Sequence, residues 1–195
     1  MARLHLPSKG RAVKQSPFDH LEREHGLVRR ALAVLSGLAD HVRLGGSFPT
    51  RDVETLLRFF TGFFQGVHEA KESGSLHPAV ALHGNEREAE LVGGLLRDHA
   101  ETVDVLHSLR LFGETSGELA DVERRGFCDA ARTFAGRLTR LMHEEEERLF
   151  PIAQGCVPPD DLLTLLEVFH EVDSNSVPAA TWEAALRELE AVWGS

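Results

Sequence analysis

Tyrosine does not occur in the 195-residue chain, which excludes a phenolate ligand or a tyrosyl radical from its chemistry. Cysteine occurs only twice, at Cys128 and Cys156, too few for a disulfide framework. No run approaches the roughly 18 apolar residues of a membrane span. Residues 1–7 have no apolar core of the kind a signal peptide carries. Basic residues are outnumbered, 21 Lys and Arg against 31 Asp and Glu, for a net charge of −10. That balance excludes the basic face of a nucleic-acid binder and any attraction to an anionic membrane. Nor does any stretch alternate with period two, so strands are not expected. These absences leave a soluble, cytoplasmic, helical protein of one domain with an appendage.

Histidine, by contrast, is abundant: 11 copies. Residues 1–16 are basic and aperiodic and read as an N-terminal tail. From Pro17 apolar residues recur at helical spacing (Leu21, Val28, Leu32, Leu35), with Asp19 placed to cap the start. Gly45-Gly46-Ser47 breaks this helix and Pro49-Thr50-Arg51-Asp52 opens a second, which carries Leu57, Phe60, Phe64, His68 and Glu72 and ends at Ser73-Gly74-Ser75. Leu76 to Asn85 is expected to be a connection. A third helix runs from about Glu86 to Leu111, a break follows near 113–117, and a fourth continues through His143 to Phe150 and stops at Pro151. The pattern predicts an all-α, up-down-up-down four-helix bundle over 17–156, with 157–195 as a helical extension packed on it.

The informative motif is a doublet of His-x-x-x-Glu: His68…Glu72 late in the second helix and His143…Glu147 late in the fourth. Residues four apart stack on one helix face, so imidazole and carboxylate reach one region together. One such pair means little, and His20…Glu24 is another. The long-range spacing adds more, since His25 precedes His68 by 43 residues and His99 precedes His143 by 44. In an antiparallel pair, arms of roughly 25 Å on each side of the turn bring such residues to one depth. Two hairpins then place four imidazoles and two carboxylates in the core, a costly burial unless a metal partners them. Bridging carboxylates among neutral imidazoles suit a pair of iron ions; manganese or zinc fits similar ligands. Glu69 is a candidate further ligand or hydrogen-bond acceptor, and Glu146 a lesser one. His41 and His107 read as surface or satisfied positions, and His77 and His83 as exposed residues of the connection, at an entrance at most.

These residues resemble the hemerythrin-like, HHE cation-binding family. The resemblance rests on Leu21-Glu22-Arg23-Glu24-His25, His68-Glu69-Ala70-Lys71-Glu72 followed by Leu76-His77-Pro78, Asp98-His99, and His143…Glu147 followed by Leu149-Phe150-Pro151. It implies a four-helix bundle holding two non-haem iron ions in an oxo- or hydroxo-bridged di-iron centre. His25, His68, His99 and His143 are the implied terminal ligands, and Glu72 and Glu147 the bridges. The sequence departs from the family at Val103, where oxygen carriers have a second third-helix histidine, and at His77, where the family has Phe. From His143 to Pro151 is 8 residues, against 10 from His68 to Pro78. A ferritin-like bundle needs two Glu-x-x-His pairs, and only Glu22…His25 fits.

The resemblance implies a protein that binds or reacts with a small diatomic or peroxidic ligand: O2, peroxide or NO. Any enzymatic version is peroxide or NO detoxification or O2 activation. The alternative is an iron- or oxygen-responsive binding module without turnover, with Trp182 and Trp193 on a partner surface.

Overall fold

The computed structural model describes residues 16–114 and 118–194, and among them every regular element is helical. The expected tail at 1–16 lies, apart from Ser16, outside the described residues. Helix α1 spans Pro17–Arg43. Ser16, rather than Asp19, is its cap: Ser16 accepts from the Asp19 backbone N–H while the Asp19 carboxylate accepts from the Ser16 N–H, and Pro17 fills the first turn, where no donor is needed. Gly45 adopts a φ of 90°, the left-handed turn that closes the helix. Helix α3, Glu86–Gly113, opens with the same reciprocal cap from Asn85 and Glu88.

Two helices run further than their α-periodicity predicts. Helix α2 covers 50–83 and α4 covers 121–156, each without a break. In α2 the winding widens to π at Phe60–His68 and at Glu72–Leu76; in α4 it widens at Glu145–Leu149. The expected connection at 76–85 and the stop at Pro151 are therefore helical turns. Proline normally breaks a helix because its ring strikes the carbonyl four residues back. For Pro78 and Pro151 those carbonyls belong to Gly74 and Glu147, both inside a widened turn, so the chain continues.

Each of the four helices packs on the next and α4 closes on α1. The core between them is rich in phenylalanine, with Phe60 edge-on to Phe134 at 4.9 Å. Helices α5 (Pro159–Ser174) and α6 (Ala179–Trp193) pack chiefly on α1 and α2. Gly37 permits this docking, because a Cβ there would lie 2.2 Å from the Trp193 carbonyl oxygen. Trp182 sits over Gly62 and edge-on to Phe59, and the Trp193 indole donates to Asp52 at 2.8 Å. Both tryptophans are anchors within the chain.

Candidate metal centre

At one end of the bundle six side chains that could ligate a metal converge, each no more than 1% exposed: His25, His68, Glu72, His77, His99 and Glu145. Their donor atoms form two groups, each with all atoms within 4.8 Å of one another: His25, His68, Glu72 and Glu145 in one, Glu72, His77, His99 and Glu145 in the other. The two carboxylates belong to both groups.

Helix winding explains the convergence. His68 and Glu72 are four apart and share a face. His77 is five residues beyond Glu72, which on an α-helix would put it roughly 140° round the axis, out of reach. The turn Glu72–Leu76 is π-wound, so residues five apart stack instead, and His77 joins Glu72. The fourth helix repeats the device: the π turn begins at Glu145 and delivers Phe150, whose ring stacks on His25 at 5.8 Å.

His25, His68 and His99 turn their Nε2 atoms inward. His25 Nε2 lies 3.1 Å from His68 Nε2 and 3.3 Å from Glu145; His99 Nε2 lies 2.8 Å from Glu145 and 3.4 Å from Glu72. The outward nitrogens of His25 and His68 meet carboxylates. His25 Nδ1 donates to Glu146 at 2.7 Å, and Glu146 is held by Arg29; His68 Nδ1 donates to Glu24 at 2.9 Å. Such partners fix tautomer and ring orientation in the way metal sites require. Phe64 lies parallel to the His99 ring and near-parallel to His68, sealing the floor with apolar surface.

Electrostatics alone leaves the cluster strained. Burial pushes the carboxyls of Glu72 and Glu145 up, but His68, His99 and His25 outweigh it and hold both below the usual range. Burial pushes the histidines down, yet Glu145 and Glu146 hold His25 above its ordinary value, Glu72 and Glu24 hold His68 well above, and Glu145 with Glu72 raises His99 to about 10. Protons on these rings thus stand in for cations. His77 goes the other way, lowered by burial, and neither of its ring nitrogens has a partner. Both oxygens of Glu72, one of Glu145 and Nδ1 of His99 are likewise buried without a hydrogen bond. Orphaned lone pairs at this density carry a desolvation cost that cations between them would offset. An imidazole and carboxylate donor set suits iron, manganese or zinc.

Of the six residues expected from sequence, the structure brings together His25, His68, Glu72 and His99. It does not bring His143 and Glu147 to the cluster; both are exposed. Residues two apart stand about 200° apart round a helix, so with Glu145 facing inward its neighbours at 143 and 147 face solvent. Glu69 lies at the margin, its carboxylate 4.0 Å from His99 Nδ1. Glu145 and His77 were missed. Counting back from the prolines finds Glu145, because it precedes Pro151 by six residues as Glu72 precedes Pro78. The same count pairs His68 with Leu141 and His77 with Phe150. Only the π winding reveals His77.

Comparison with family models matches residues 16–153 to the hemerythrin HHE cation-binding domain. No curated protein and no solved structure matches the chain. Among the described residues no helix is long and apolar enough to cross a membrane. The matched span takes in the whole cluster and most of the chain, and the buried His and Glu groups fit a metal site: the chain belongs to the hemerythrin HHE cation-binding domain family.

Proposed function

We propose that the chain is a non-haem di-iron protein that binds or reacts with a small diatomic or peroxidic ligand, either O2, peroxide or NO. The observation that carries this reading is the sharing of Glu72 and Glu145 between two donor groups. Two carboxylates common to two sets of imidazoles are what a pair of bridged metals needs. One ion would be held by His25 and His68, the other by His77 and His99, with Glu72 and Glu145 between them. Four protein donors to each ion leave room for a ligand from solution. Iron bound here supplies redox electrons and a Lewis-acidic position.

The chain's own residues prepare that position. Glu146 and Glu24 accept the Nδ1–H hydrogen bonds of His25 and His68, so that each Nε2 is the nitrogen directed inward. Phe64 and Phe150 keep bulk water from the rings. Position 103, one turn beyond His99, is Val, which favours reaction or sensing over reversible oxygen carriage.

Metal content per chain, measured with the near-ultraviolet and visible spectrum on protein purified aerobically without chelator, tests the reading. About two irons with charge-transfer bands is the expected result. Turnover of peroxide and NO by that form then separates an enzyme from a binding module. Zinc, or one metal per chain, redirects the site to a structural or regulatory role; no metal after iron reconstitution overturns it.

A further inference from the structure

Behind His68 lies a buried ammonium that the cage does not use. Lys71 is completely buried, in the turn between His68 and Glu72. Its Nζ is bonded to Glu24, lies 3.0 Å from His20 Nε2 and 2.5 Å from Asp173 Oδ1, and stands 5.9 Å above the Phe169 ring. His20, Glu24 and Asp173 would by themselves make a cation group; Lys71 supplies the cation. Asp173 and Phe169 belong to α5, outside the four-helix bundle and beyond the family match at residue 153.

The chain of contacts is continuous. Asp173 on α5 holds Lys71, Lys71 holds one oxygen of Glu24, and the other oxygen of Glu24 accepts the Nδ1 proton of His68 at 2.9 Å. Among the described residues no other histidine of the cluster is supported through a buried cation. The partner of His25 is Glu146, held by Arg29, whose side chain is 46% exposed. Among the described residues the Nδ1 of His99 has only the Glu69 carboxylate near it, at 4.0 Å. A buried lysine is costly unless fully paired, and here the pairing is spent on one carboxylate that faces one ligand.

We propose that Lys71 is a positioning residue: clamped by Asp173, it fixes the Glu24 carboxylate that orients His68, so that the C-terminal extension sets the geometry and donor strength of one of the two metal positions. The proposal rests on the metal reading above. It gives α5 a task beyond packing, since displacing α5 releases Asp173 and loosens His68 without touching any ligand.

Cobalt(II) titration of the full chain tests it, reading affinity and the visible ligand-field bands. Lys71→Met is expected to weaken one of two cobalt positions by about 10- to 100-fold and shift its bands. Asp173→Asn is expected to shift them the same way by less, and Lys71→Arg to restore part of the wild-type spectrum. Arg30→Met is the control: Arg30 ties α1 to Glu190 of α6 by two hydrogen bonds but touches nothing in the relay, so both cobalt positions stay as they were. Should Lys71→Met not fold, Asp173→Asn against Arg30→Met decides the matter. Spectra and affinities unchanged by Lys71→Met and Asp173→Asn, or moved equally by Arg30→Met, overturn the proposal while the metal reading stands. A wild-type chain that takes up no cobalt or iron overturns both.

Discussion

Helices α2 and α4 carry the same phrase in two versions. Aligned on their prolines, His68-x-x-x-Glu72-x-x-x-Leu76-His77-Pro78 faces Leu141-x-x-x-Glu145-x-x-x-Leu149-Phe150-Pro151. Both versions begin a π turn at the inward glutamate and keep a buried leucine after it. They differ at the flanking positions, where one helix has two imidazoles and the other Leu141 and Phe150, both buried. The helix with two histidines therefore gives one imidazole to each donor group, and its partner gives a shared carboxylate and apolar cover. The count of imidazoles follows from which helix faces which cavity wall, and equal shares are not required.

The sharpest break in this comparison is at the shared feature. Glu145→Ala is expected to abolish uptake of the second metal and lower affinity for the first by more than about 100-fold, whereas His143→Ala and Glu147→Ala leave metal content unchanged and stability within about 0.5 kcal/mol. Metal analysis and thermal melts check both, and loss of metal in Glu147→Ala would restore the register expected from sequence.

The difference between the two versions can then be exchanged. His77→Phe, which makes the α2 phrase match α4, is expected to lose one of the two metals. Adding Leu141→His offers an imidazole one turn before Glu145 and is expected to recover part of that loss. Recovery in the double variant, read as metal per chain, would show the two helices to be interchangeable donors.

A smaller effect comes with pH. A histidine raised in the folded state, as His99 is to about 10, contributes its full stability below its ordinary value of 6.5 and loses it as pH rises toward 10. Metal binding needs the same ring deprotonated. Raising pH from 6.5 to 8 should therefore weaken the metal-free chain while strengthening metal uptake, and the gap between their melting temperatures should widen. On the acid side Glu146, held down to about 2 by its bond from His25 and by Arg29 against the effect of burial, contributes above its ordinary value of 4.5 and is lost as pH falls toward 2. A gap that narrows with rising pH would mean that ring protons and metal do not compete.

The least effect is expected at the exposed end of the His25 support. Arg29→Met leaves Glu146 in place, so cobalt affinity should fall by no more than about tenfold, measured by the same titration.

Much of this was legible in the chain itself. The bundle follows from apolar spacing and from breaks such as Gly45-Gly46-Ser47, and the depth of His25, His68 and His99 from the equal arms of the hairpins. What α-periodicity could not supply was phase beyond a widened turn. His143 and Glu147 satisfy the four-residue rule on α4, but on its solvent face; the 8-against-10 mismatch to the prolines held the correction. Ser73-Gly74-Ser75 and Pro78 look like an ending, which places His77 in a connection when only the sequence is read. They are instead the residues through which a helix can widen and still go on. The Lys71 relay had no signature, since Asp173 is 102 residues away.

The π turn at Glu72–Leu76 is longer by one residue than the α turn it replaces. In genetic terms the widening of this turn amounts to a single codon. Deleting one residue from 73–76 would rewind the turn to α and leave His77 four residues beyond Glu72, still on its face. His25, His68 and their shared carboxylates would keep their places. One three-base deletion would thus spare the phase of the cage and remove instead the widening that lets the helix pass Pro78.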